Sequence, residues 1–167
     1  MANPGPGSLA IVALGLLLLA AACSLSGHPP AAEGQAPHRE SSAAAAGYLG
    51  AAEPANRRLD AEVQSYADHE HGNLGAAEAA LRAEAVTEHW FDQRLLKIPF
   101  PASVIATARA LVRANGRRAE LVIRQAGSPS LAELQSFNHR HQSADAGVEA
   151  QVKAIRRALG LPPPPTS

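Results

Sequence analysis

A single cysteine, Cys23, occurs in the 167-residue chain, so no internal disulfide can staple the fold. Methionine is confined to Met1 and no Cys-x-x-Cys-His segment is present, which leaves the familiar copper and haem ligand sets without support. Net charge is missing too. Lys plus Arg and Asp plus Glu each number 15, whereas a general nucleic-acid binder carries a basic excess on one face. Gly-rich phosphate loops, the G-x-S-x-G elbow and H-E-x-x-H are all absent, and no catalysis is expected. Aromatic residues make up 4% against 46% hydrophobic residues, many of them alanine. That balance favours closely approaching helices over sheets, which draw on β-branched and aromatic side chains.

The most specific signal is amino-terminal. In SLAIVALGLLLLAAAC the uncharged apolar run Leu9 to Ala22 is shorter than the roughly 20 residues a spanning helix needs and matches a signal-peptide core. Ala20, Ala21 and Ala22 supply the small residues a signal peptidase accommodates, and Cys23 follows at once. This stretch resembles the bacterial prolipoprotein lipobox. The resemblance implies a signal peptide over residues 1–22, lipidation of Cys23, and an extracytoplasmic protein held to a bilayer by acyl chains. The region MANPGPGS lacks Lys and Arg, and Ala20 stands where a lipobox has leucine most often, so simple secretion and an uncleaved anchor are the alternatives. An exported protein with one cysteine would otherwise expose an odd thiol, which favours acylation.

Residues 23–42 then read as the lipidated cysteine and a flexible tether rich in Ser, Gly, Pro and Ala. His28 and His38 lie within it as solvated spacer residues. At the other end, 161–167 form a Pro-rich tail. The segment 43–160 between them is long enough for one self-sufficient core. It divides into four expected helices, 43–68, 74–97, 101–125 and 130–159, separated by HEHGN, IPFP and GSPS. Ser130 and Glu133 have capping-box spacing, and Pro54 is expected to kink the first helix or to start its main segment.

Stepping by three and four gives each helix an inward stripe. The first runs Leu49, Ala52, Asn56, Leu59, Val63, Tyr66, and the third Ile105, Ala108, Val112, Asn115, Ala119, Val122. The second places Glu84 and Glu88 between Leu81 and Phe91, and the fourth places Asn138, His141 and Asp145 between Leu134 and Val148. All four stripes are apolar at the ends and polar in the middle. Short connections make consecutive helices antiparallel, and counting from the turns brings Asn56, Glu84, Glu88, Asn115 and His141 to similar heights. The expected fold is therefore all-α, an antiparallel up-down four-helix bundle crossed by a polar layer of Asn56, Glu84, Glu88, Asn115, Asn138, His141 and Asp145.

Such a layer is either a satisfied network that sets helix register or a site, and its carboxylates need His141, an Asn or a swung Arg118 as partner. A divalent metal on carboxylates plus one histidine is the cofactor alternative, but the Glu-x-x-His pairs of di-iron bundles are lacking. His139 sits two positions from His141 and so on a different helix face, while His69 and His71 fall at a helix end. Arg109, Arg113 and Arg117 make a basic stripe that is a solvated face or a contact for anionic lipid. Trp90 and Phe91 read as packing groups. The runs YLGAAEPANRRLDA and IPFPASVIATARALVRANGRRA and the LPPP ending resemble uncharacterised lipoproteins of high-GC Gram-positive bacteria, a class that implies no established activity. The expected function is a binding or interaction module of the cell envelope. Its partners are the membrane, through Cys23, and an envelope protein or small ligand. The rivals are a metal- or small-ligand-binding bundle that uses the polar layer and a purely structural envelope protein.

Overall fold

A computed structural model describes residues 35–164. The signal segment, Cys23 and the first part of the tether lie outside the described residues, as do 165–167. Five helices follow in order: α1 (Gln35–His69), α2 (Leu74–Leu95), α3 (Ala102–Gln125), α4 (Leu131–Ser136) and α5 (Asn138–Ala158). Among the described residues there is no strand, and no helix is long and apolar enough to cross a membrane.

The first helix differs from expectation at its start, and Pro54 does not begin its main segment. It starts at Gln35 rather than Ala43, taking up the end of the presumed tether. The Ala43–Ala46 run is the strongest local helix former, and Pro37 is tolerated because a first-turn N–H has no intrahelical partner to lose. Pro54 lies inside α1 without ending it. The carbonyl that loses its donor belongs to Gly50, which is exposed, so water can take the bond.

The expected fourth helix is split. Two carbonyls just before Phe137 are diverted: Ser136 Oγ donates to Glu133 O at 2.6 Å, and Gln125 Nε2 donates to Leu134 O at 2.9 Å. In an unbroken helix those carbonyls would receive the N–H groups of Phe137 and Asn138. Phe137 N–H instead closes a tighter turn onto Leu134 O, and α5 begins again at Asn138.

The helix ends use local chemistry. Asn73 caps α2 through a bond from Ala76 N–H, and Ser130 caps α4 through one from Glu133 N–H at 3.2 Å. After α5 the chain turns on Gly160 at φ 68, with Gly160 N–H bonded to Arg157 O and Leu161 N–H to Arg156 O. This Schellman arrangement places a left-handed residue where glycine has no Cβ penalty. Leu161 then packs against the core, and Arg156 Nε donates to Pro162 O at 2.6 Å, so the start of the Pro-rich tail is tied down.

Two apolar clusters occupy opposite ends of the helices. One joins Tyr48, Ala52 and Ala55 of α1 to Phe91, Leu95, Leu111 and Ile155; the other joins Ala77, Leu81 and Ala85 of α2 to Val122, Ala126 and Leu134. The inward stripes are rotated slightly from those read in sequence. Tyr48 and Val104 are buried where Leu49 and Ile105 were expected, and Ile105 is 38% exposed. Each of the middle helices has two neighbours, since α1 packs on α2, α2 on α3, and α3 on α5. Their buried arcs are correspondingly wider than a single stripe.

Candidate functional site

Between the two apolar clusters the interior is polar and partly open. Arg118 of α3 forks into three carboxylates: Nη2 donates to Glu84 Oε1 at 2.5 Å, Nη1 donates to Glu88 Oε1, and Nε donates to Asp145 Oδ1 at 2.6 Å. One guanidinium thus ties α2, α3 and α5 together. A planar fork with five donors suits that task where a lysine would not. The three carboxylates hold the Arg118 charge even more firmly than usual against the cost of its burial.

Three carboxylates around one cation leave a surplus of negative charge, and the surplus shows at Glu88. Its side chain is only 6% exposed, and Oε2 has no hydrogen-bond partner among the described residues. Burial is the main cause that pushes its carboxyl up to about 7; Arg118 opposes the rise, and Glu84 and Asp92 add to it. Near neutral pH this group is therefore divided between acid and carboxylate.

A second strand of polar contacts runs from α5 to α1. The Gln125 amide donates to Leu134 O and, at 3.0 Å, to the Tyr66 hydroxyl, which leaves Oε1 to accept from His141 Nε2–H at 2.7 Å. That network assigns the His141 proton to Nε2. Burial first and the nearby Arg118 second lower the His141 pKa, so the neutral ring is favoured. Asn115 Nδ2 donates to Asp92 Oδ1 at 2.9 Å, and burial raises Asp92 to about 6 despite that bond. On the α1 side of α2, Thr87 Oγ1 donates to Glu62 Oε1 at 2.7 Å.

The fourth pairing needed to close a ring of helices, α1 on α5, is not among the extensive helix contacts. A cavity of about 480 Å³ lies there, within the usual range for small-molecule sites. Leu59 and Val63 of α1 and Val148 and Val152 of α5 line its walls, with the Arg118 cluster on the inner side. Tyr48 and Phe91, edge to face at a centroid distance of 6.5 Å, stand toward the first apolar cluster. No family model, curated protein or solved structure matches the chain.

The residues of the sequence-read layer are placed as follows. Glu84, Glu88 and Asp145 meet on Arg118; Asn115 turns to Asp92 and His141 to Gln125. Asn56 and Asn138 line the cavity without a side-chain hydrogen bond among the described residues. His139 is exposed, and Arg109, Arg113 and Arg117 form an exposed row on α3. Trp90 is half-buried, with the guanidinium groups of Arg58 and Arg94 over its ring at 4.7 and 4.5 Å. Among the described residues no group of three or more His, Cys, Asp or Glu side chains is arranged to hold a metal ion. Arg118 already sits among the carboxylates that a divalent cation would use.

Gln125, Asp92, Glu62 and Thr87 were missed. Gln125 is one step of three beyond Val122 on the α3 stripe, a signal that extending the stripe would have found. Asp92 and Thr87 lie off the α2 stripe and are buried because α2 has neighbours on two sides.

Proposed function

We propose that the mature chain is a lipid-anchored, extracytoplasmic helical protein whose bundle is a small-ligand binding module of the cell envelope, without catalysis of its own. In this reading the signal peptide is removed, Cys23 carries the acyl chains, and the helices form an antiparallel up-down four-helix bundle with α4 and α5 together as the fourth member. The linkers, four residues from Glu70 to Asn73 and six from Leu96 to Pro101, support that topology.

The observation that carries the binding function is the cavity between α1 and α5. Protein interiors pack as densely as organic crystals, and selection for stability alone would favour larger side chains over the space beside Leu59 and Val63. Polar groups of α1, α2, α3 and α5 are set among aliphatic and aromatic walls, a composition that suits a ligand site.

The test is purification of the protein from its own envelope, followed by extraction and mass spectrometry. A small molecule at near one-to-one stoichiometry, lost when Val63→Trp fills the cavity, is the expected result. If none co-purifies and Val63→Trp simply stabilises the protein, the cavity is a packing defect and the binding function falls. In parallel, Cys23→Ala should move the protein out of the membrane fraction; an equally membrane-bound variant would overturn the anchor.

A further inference from the structure

Cavity composition narrows the ligand. Of the titratable groups on its lining, α1 contributes Asp60 and the phenols Tyr48 and Tyr66, α2 Glu84 and Glu88, α3 Arg118, and α5 His141, Asp145 and Glu149. Asp92, on α2 beside Glu88, is engaged by Asn115. Five carboxylates against one guanidinium and a histidine held neutral make this chamber electronegative, although the chain as a whole has no net charge. An anionic ligand would add to that surplus in a partly desolvated space, where like charges are costly.

The decisive atom is Glu88 Oε2. Arg118 engages Oε1 of the same carboxylate, while Oε2 is buried without a partner on a side chain that lines the cavity. Buried acceptors are ordinarily satisfied, so an unsatisfied oxygen on a carboxylate whose side chain lines the cavity marks a place for a donor that enters beside it. Beyond it the walls are aliphatic and aromatic, and the phenol and phenyl rings of Tyr48 and Phe91 can receive the edge of a cation as well as an apolar body.

We infer that the cavity binds a monocationic amphiphile, an organic amine with an apolar body, whose ammonium N–H is received by the free oxygen of Glu88 while the body lies between α1 and α5. This rests on the reading of the cavity as a ligand site. The amine replaces the proton that the buried carboxyl otherwise retains, because a cation at hydrogen-bond distance favours the ionised form. With Glu88 titrating near 7, its ionised fraction rises from about a tenth at pH 6 to about nine-tenths at pH 8. Amine affinity should therefore rise roughly tenfold across that interval. Burial and Arg118 lower the His141 pKa and favour its neutral ring, and the Glu88→Gln variant separates its contribution from that of Glu88.

Three probes with one body and different heads test this by calorimetry on the full chain: 4-phenylbutylamine, 4-phenylbutanol and 4-phenylbutyrate. The amine should bind at least tenfold more tightly than the alcohol at pH 8, and the carboxylate most weakly. Glu88→Gln, which keeps the shape and removes the charge, should weaken the amine at least tenfold, leave the alcohol unchanged and abolish the pH dependence. Equal binding of amine and alcohol, or a Glu88→Gln variant with unaltered amine affinity and pH profile, would overturn the inference. If the alcohol or the carboxylate binds and the amine does not, the amine inference fails while the binding module stands. If none binds and Val63→Trp raises stability, both fail.

Discussion

Replacing Glu88 by Gln should make the protein more stable at alkaline pH and leave it nearly unchanged in mild acid. Folded Glu88 titrates near 7 rather than at the ordinary 4.5, chiefly because burial penalises its charged form. The folded state consequently binds more protons than the unfolded chain between those two values, and stability falls as pH rises through that window. Integrating the difference gives a loss of about 3 kcal/mol in full and about 2.5 kcal/mol between pH 5 and pH 8. Glutamine resembles the protonated acid and carries no such dependence. Asp92, raised to about 6, loses stability in the same direction, and His141, lowered from 6.5, gains it as pH rises; both groups are present in the two proteins, so Glu88 dominates the difference between them. Urea unfolding at pH 5 and pH 8 should show Glu88→Gln within about 1 kcal/mol of the wild type in acid. At pH 8 it should be ahead by about 2 to 3 kcal/mol, or roughly 10 °C in thermal midpoint for a domain of this size. If the two stability curves run parallel from pH 5 to pH 8, Glu88 is an ordinary solvated carboxylate that burial does not perturb.

Arg118→Leu should be the most damaging single change in the cluster, since it strands Glu84 and Glu88 in the interior without a counter-charge. A loss of about 3 to 5 kcal/mol in urea unfolding is expected, smaller at low pH where the carboxyls are protonated. Gln125→Leu leaves His141 and the Leu134 carbonyl without their buried partner and should cost about 1 to 3 kcal/mol, with faster amide exchange around the α4–α5 break as the readout. Leu111→Ala, at a fully buried position, should cost about 2 to 5 kcal/mol through the void it leaves, measured the same way. Gly160→Ala forces a Cβ into a left-handed turn and should cost about 1 kcal/mol, with loss of protection of the Leu161 amide by hydrogen exchange.

Much of this molecule is legible along the chain because its helices are short-range objects. Alanine content, the HEHGN, IPFP and GSPS breaks, and the Ser130 cap depend on residues within a few positions of one another, and α2, α3 and the start of α4 follow them closely. The alternation of apolar and polar positions along each stripe likewise marks Glu84, Glu88, Asn115, His141 and Asp145 as interior residues. Their partners are another matter. Arg118 lies beside the α3 stripe, and only the approach of α2 and α5 turns its long side chain inward to meet three carboxylates. Gln125 breaks α4 from α5 through a carbonyl nine residues away, a tertiary event that no local propensity foretells.

By itself, the sequence determined the helical class, the breaks between the main helices and the presence of polar residues between two apolar ends, because propensity, capping and periodicity act over one or two turns. Only the tertiary structure decided that α1 and α5 stand apart over a cavity, and that one oxygen of Glu88 is buried without a donor. Both depend on how far whole helices are held from each other. That spacing depends on packing at the two ends, at Tyr48 with Phe91 and Ile155 and at Leu81 with Val122 and Leu134, together with the Arg118 ties among α2, α3 and α5.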